Sequence, residues 1–168
     1  ANIEAGATVE YSIDGGTTWT GSFTAAAGAN TGEVRQTDVA GNTSAVGTLT
    51  FTLDTTIATP GVSLTNDTGS SNADLITNDG SLTLANLEAG ATVEYSIDGG
   101  TTWTGSFTAA EGANTVEVRQ TDVAGNTSAV GTLSFTLDTT IATPGVSLTN
   151  DTGSSNIDLI TSDGSLTL

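Results

Sequence analysis

The segment Ala1-Asn2-Ile3-Glu4-Ala5-Gly6 returns as Ala85-Asn86-Leu87-Glu88-Ala89-Gly90, 84 residues later, and two such periods account for all 168 residues. The copies differ only at Ile3/Leu87, Ala27/Glu111, Gly32/Val116, Thr50/Ser134, Ala73/Ile157 and Asn78/Ser162. A unit of this length is too long for one solenoid turn and suits a small independently folded domain, so the chain reads as beads in tandem. Its phase is set by Phe51-Thr-Leu-Asp54-Thr-Thr-Ile-Ala-Thr-Pro60 and again by Phe135-Thr-Leu-Asp138-Thr-Thr-Ile-Ala-Thr-Pro144, where an alternating strand runs into an extended link before proline. Linkers then fall at 55–59 and 139–143. The expected organisation is the C-terminal part of one repeat over 1–54, a complete repeat over 55–138, and the N-terminal strands of the next over 139–168. Leu168 followed by Ala1 would reproduce the Leu84-Ala85 joint. The two part-repeats are therefore complementary, and residues 139–168 of one copy are expected to complete 1–54 of a neighbour, unless the chain is one period of a longer polymer.

Within the complete repeat, apolar and polar residues alternate at Val62–Leu64, Leu82–Leu84, Val93–Ile97, Trp103–Phe107, Val116–Gln120 and Leu133–Leu137, the period of half-buried strands. No segment has helical periodicity. Turns are expected at Asp98-Gly99-Gly100, Glu111-Gly112-Ala113-Asn114 and Ala124-Gly125-Asn126. Six or seven short strands so spaced predict an all-β fold of tandem, head-to-tail, immunoglobulin-like antiparallel β-sandwiches without a disulfide. Few aromatics make the core thin, and a bead of this size is marginal, so a bound metal would add a decisive part of its stability. Gly32 replaces Val116 at an inward strand position, which weakens the first repeat by roughly 2–3 kcal/mol.

Composition narrows the chemistry. Nineteen acidic side chains face two basic ones, Arg35 and Arg119, for a formal net charge of −17, and the chain has no histidine or cysteine. No basic patch exists to neutralise phosphates, so nucleic acid and anionic membrane surfaces are excluded as partners. Zinc and copper sites of the usual kinds and His-based nucleophile systems are excluded as well. Oxygen ligands remain, and they suit calcium. There is neither an apolar run of about 18 residues nor a leader peptide, so any export address is expected elsewhere in a longer gene product.

Asp67-Thr68-Gly69 and Asp151-Thr152-Gly153 match the local signature of aspartic proteases, whose paired carboxylates share a proton. The two copies lie a full repeat apart, Thr65-Asn66 is polar where that active site is led in by a buried strand, and no flap-like segment follows. No enzymatic activity is expected. Instead Asp67, Asp74 and Asp79 form a carboxylate-rich loop between the first two strands, where Gly69 lets a carbonyl turn inward, and Asp67 and Asp74 are expected to converge with Asp138 on Ca2+. At the other end Asp122 and Asn126 face the preceding linker's Asp54. The equivalent ligands in the part-repeats are Asp38 and Asn42, and Asp151, Gly153, Asp158 and Asp163. Asp and Asn also favour ordinary solvated turns, which is the competing reading of each loop. Glu88, Glu94, Glu111 and Glu117 are assigned to a solvated face, and Trp103 and Tyr95 to core packing in preference to a sugar-stacking platform. The many threonines are read as β-propensity and not as an ice- or glycan-binding array.

Leu-Thr-Asn66-Asp67-Thr-Gly-Ser-Ser, Val-Glu-Tyr95-Ser-Ile-Asp-Gly-Gly-Thr-Thr-Trp103, Val-Arg119-Gln-Thr-Asp122-Val-Ala-Gly-Asn126 and Phe-Thr-Leu-Asp138-Thr-Thr together resemble the bacterial immunoglobulin-like extender repeats of giant RTX adhesins, of the biofilm and ice-adhesin type. The resemblance covers the whole chain. It implies a spacer between a cell-anchored end and ligand-binding domains, rigid through Ca2+ at the junctions and located at the bacterial cell surface. It also implies identical neighbouring repeats as partners, with host-cell, biofilm or ice contact made through other domains. The sequence departs from the family's common Thr-Ala-Pro linker by reading Thr-Ile-Ala-Thr-Pro, and it lacks the glycine-rich calcium nonapeptides. A repeat that itself binds glycan or ice is the alternative. A bead of strands 8–10 residues long at about 3.4 Å each would span about 30–40 Å.

Overall fold

The computed structural model describes residues 2–168 and, among them, is all-β. Eleven strands follow in chain order: β1 (Thr8–Ser12), β2 (Gly28–Thr37), β3 (Gly47–Leu53), β4 (Gly61–Leu64), β5 (Ile76–Thr77), β6 (Leu82–Ala85), β7 (Thr92–Ser96), β8 (Gly112–Thr121), β9 (Gly131–Leu137), β10 (Ser147–Leu148) and β11 (Leu166–Thr167). The central set, β4 to β9, makes a sandwich. One layer is the antiparallel pair β4-β6 and the other has the order β5-β9-β8-β7. The alternation along β8 fixes its packing, because Val116 and Val118 point inward and are fully buried while Glu117 and Arg119 point outward. With Phe135 of β9 they form the core, and Val62, Leu64, Leu82 and Leu84 of the β4-β6 layer close over it. Three fully covered apolar side chains make a thin core, as the small aromatic content requires.

Two features depart from the expected strands. Residues 103–107 do not form one: Thr104 exchanges two backbone hydrogen bonds with Tyr95, at 2.8 and 2.9 Å, and its hydroxyl then donates to the Ser106 carbonyl, which turns the chain away. Conversely, β5 is a strand without an alternating pattern to announce it. It runs parallel to β9, with the amides of Thr136 and Asp138 donating to the carbonyls of Leu75 and Thr77. The first strand thus passes from one layer to the edge of the other through the loop 65–75.

Trp103 is also not a core residue. It lies on the outer face of the sheet, where the Arg119 guanidinium sits 4.1 Å from its ring centroid and pairs with Glu94 at 2.9 Å. Trp19, Arg35 and Glu10 repeat the arrangement. Tyr95, by contrast, packs against the core. Glu111 is more than a solvated loop tip: its carboxylate accepts from the Thr139 amide and hydroxyl, the latter at 2.8 Å, clamping the segment after β9. Its equivalent is Ala27, so the segment after β3 has no such clamp.

The remaining strands form β1-β2-β3, an antiparallel sheet with the register of β7-β8-β9, and the small pair β10-β11. The extended stretch 54–60 connects β3 to β4, and 138–146 connects β9 to β10.

Candidate metal centre

The hairpin loop after β8 is built by Asp122. Its amide donates to the Asn126 carbonyl, its carboxylate accepts the Asn126 amide at 2.8 Å and side-chain Nδ2 at 2.7 Å, and Gly125 supplies the positive φ of +93° that closes the turn. These donors, led by the Asn126 side chain, hold the Asp122 carboxyl below the usual carboxylate range, so it stays ionised in a position only 8 % exposed. Asn126 Nδ2 also donates to the Asp54 carbonyl at 3.1 Å, which draws the connecting stretch onto this loop.

A buried glutamine completes the arrangement. Gln120 of β8 is fully enclosed, accepts the Glu88 amide on Oε1 at 2.9 Å, and donates from Nε2 to the carbonyls of Ala58 and Asn86 at 2.8 and 3.0 Å. One side chain therefore fixes both the connecting stretch and the 86–91 turn. The result is that carboxylate oxygens of Asp54, Glu88 and Asp122 lie within 4.8 Å of one another, one exposed, one half-buried and one buried. Three like charges this close repel, and both arginines are committed to Glu10 and Glu94. Three hard oxygen donors converging between a connecting stretch and two loops suit a calcium-type cation.

Sequence reasoning paired Asp54 with Asp122 and Asn126 and left Glu88 out. The signal that points to Glu88 is topological: in an immunoglobulin-like sandwich the turn joining β6 to β7 lies at the same end as the loop after β8. The other expected ligands lie in the loop between β4 and β6. Asp67 Oδ2 accepts the Leu75 amide at 3.0 Å, Asp74 accepts the Ile76 amide, and Asp79 accepts from Asn66 Nδ2 and the Ser81 amide. Gly69 has φ +107°. Asp138 follows β9 beside this loop, and its carboxylate accepts the Thr140 amide at 3.2 Å. These aspartates are not among the carboxylates that converge in a group of three. Asp67 Oδ1 is nonetheless buried without a hydrogen-bond partner, as is Asp151 Oδ1, and such an atom is costly unless something satisfies it. Asp151, Gly153, Asp158 and Asp163 repeat the loop's internal bonds, and Asp38 and Asn42 repeat the bonds that Asp122 and Asn126 make with each other. Asp67 and Asp151, the protease-like pair, each bond to their own loop's backbone.

The sandwich, its strand order and the absence of cysteine define an immunoglobulin-like module. A family model for the bacterial Ig-like domain matches residues 56–139, half of the chain, and the chain belongs to that family. No curated protein matches the sequence. Among solved structures it is similar to the fibronectin(III)-like modules of Clostridium thermocellum CbhA, with 19% identity over 82% of this chain and 81% of that one and a TM-score of 0.34. No helix among the described residues is long and apolar enough to cross a membrane.

Proposed function

We propose that the chain is a spacer segment of a large bacterial surface adhesin, in which residues 55–138 form one bead of a tandem row and Ca2+ at the junctions stiffens the row, holding a ligand-binding end away from the cell. Membership of the bacterial Ig-like family and the near-identity of the two repeats support the spacer role. The observation that carries the calcium reading is the convergence of Asp54 with Glu88 and Asp122, because Asp54 belongs to the connecting stretch and the other two to the next bead. Asp54, Glu88 and Asp122 would hold the ion. When bound, it cancels their repulsion and cross-links the linker to two loops, which is the chemistry a stiff joint needs. Asn126 positions both partners by bonding Asp122 and the Asp54 carbonyl. The orphaned oxygen of Asp67 supports the β4–β6 loop, with Asp74, Asp79 and Asp138 nearby in sequence or topology, as a second cation site.

Small-angle scattering of the chain with calcium and with chelator tests the proposal. The maximum dimension and the apparent stiffness are expected to fall when calcium is withdrawn. Identical scattering in the two buffers would overturn the calcium-dependent spacer.

A further inference from the structure

The stretch that connects β3 to β4 is gripped from one side only. Asn126 Nδ2 holds the Asp54 carbonyl at 3.1 Å, Gln120 Nε2 holds the Ala58 carbonyl at 2.8 Å, and the Pro60 carbonyl lies against Gly131. All three contacts come from the bead that follows. From the bead that precedes, no hydrogen bond among the described residues reaches 55–60. After β9 the preceding bead does take hold, because the Glu111 carboxylate accepts the Thr139 amide at 3.1 Å and the Thr139 hydroxyl at 2.8 Å. Bonds to an ionised acceptor are stronger than neutral ones. They pin the chain two residues beyond the end of β9, where each free residue would otherwise contribute two soft dihedrals.

One side chain makes the difference. Loops 26–30 and 110–114 are built alike: Asn30 and Asn114 each accept the amide four residues back at 2.9 Å and donate to two carbonyls at 2.8 Å, and Gly28 and Gly112 share a φ of +92°. The connecting stretches also begin alike, with the amides of Thr56 and Thr140 donating to Asp54 and Asp138 at 3.2 Å. Position 27 therefore stands toward Thr55 as position 111 stands toward Thr139, but it carries alanine. The grip of the following bead does not vary in this way, since Gln120 and Asn126 recur as Gln36 and Asn42. We propose that the residue at this loop tip sets the stiffness of the joint after its own bead. Glutamate ties the connecting stretch back to the bead it leaves, whereas alanine leaves a hinge between the end of β3 and the point where Asn126 takes hold. The device rests on the tandem spacer reading and needs no metal. A row of such beads has compliant joints at places written into its sequence, so under load it bends there and not evenly along its length.

The test uses the 168-residue chain in chelator, so that no cation contributes to the joint. The chain has no cysteine, and Thr48→Cys in β3 with Thr132→Cys in β9, both exposed, place one spin label on each side of the 54–60 stretch. Ala27→Glu is expected to narrow the distribution of distances between the labels and to slow exchange of the Thr55 amide about tenfold, the gain from one charge-assisted hydrogen bond. Glu111→Ala is expected to speed exchange of the Thr139 amide by a similar factor and to leave the label distances as they are. Ala27→Leu, which adds bulk without an acceptor, should change neither readout. An unchanged distribution in Ala27→Glu, an equal narrowing in Ala27→Leu, or a Thr139 amide indifferent to Glu111→Ala would overturn the proposal. Scattering that responds to calcium while these readouts stay fixed would refute this device and leave the calcium reading standing. Label distances that narrow in chelator while scattering ignores calcium would do the reverse.

Discussion

Val116→Gly places in the complete sandwich the residue that the first repeat carries at Gly32. Val116 is fully buried and forms the core cluster with Val118 and Phe135, against which Phe107 packs. Burying a valine side chain contributes about 1.5–3 kcal/mol, and glycine inside a strand costs about 0.5–1 kcal/mol more than alanine. The loss is thus about 2–4 kcal/mol, and for a domain of this size each kcal/mol moves the midpoint by about 4–8 °C. A fall in Tm of about 8–32 °C is expected. The assay is thermal unfolding followed by fluorescence in a Trp19→Phe background, so that Trp103 alone reports on the complete sandwich. A fall smaller than about 4 °C would refute the assignment of Val116 to the core. The reverse change, Gly32→Val, should gain less than this loses, because the new Cβ would stand 3.2 Å from the Phe23 ring, which has to give way.

Gly131→Ala should lower the unfolding midpoint by displacing the Pro60 carbonyl, at a cost of about 1–3 kcal/mol in denaturant titration, as overpacking does. Arg119→Ala removes both the Trp103 stacking and the Glu94 ion pair and should cost about 1 kcal/mol, with a red shift of Trp103 emission; an unshifted spectrum would contradict the stacked geometry. The Asp98 carboxyl is lowered from the usual 3.8 to about 2, chiefly by the Thr102 hydroxyl and amide and then by Ser96. A carboxyl lowered by folding contributes stability above its unfolded value and loses it as pH falls through the folded one. Acid titration of the denaturant midpoint should therefore drop between pH 3.8 and about 2, and Asp98→Asn should flatten that part of the curve.

The repeat length and the period-2 alternation were enough to read the all-β sandwich, because burial on one face of β8 and β9 leaves its mark in every second residue. Residues 76–77 escaped that reading because a two-residue strand has no period; β5 exists only through the hydrogen bonds that β9 offers. Trp103 was misassigned because sequence cannot show that the outer face holds Arg119 in position to stack on it. At the site, Asp54, Asp122 and Asn126 were legible from the turn chemistry and the linker. Glu88 was not, because what brings it in is Gln120, an amide buried by the fold and tied to both Ala58 and Asn86. The Glu111 clamp on Thr139 likewise depends on where a loop tip comes to lie.

Calorimetry with and without calcium, on the wild type and on the triple variant Asp54→Asn/Glu88→Gln/Asp122→Asn, addresses the junction directly. Calcium at a hundredfold excess over its Kd should raise wild-type stability by about 2.7 kcal/mol, which corresponds to about 10–20 °C in Tm, and the triple variant should lose most of that rise. A wild type indifferent to calcium, or a triple variant stabilised as strongly as the wild type, would contradict a cation bound where the linker meets the next bead.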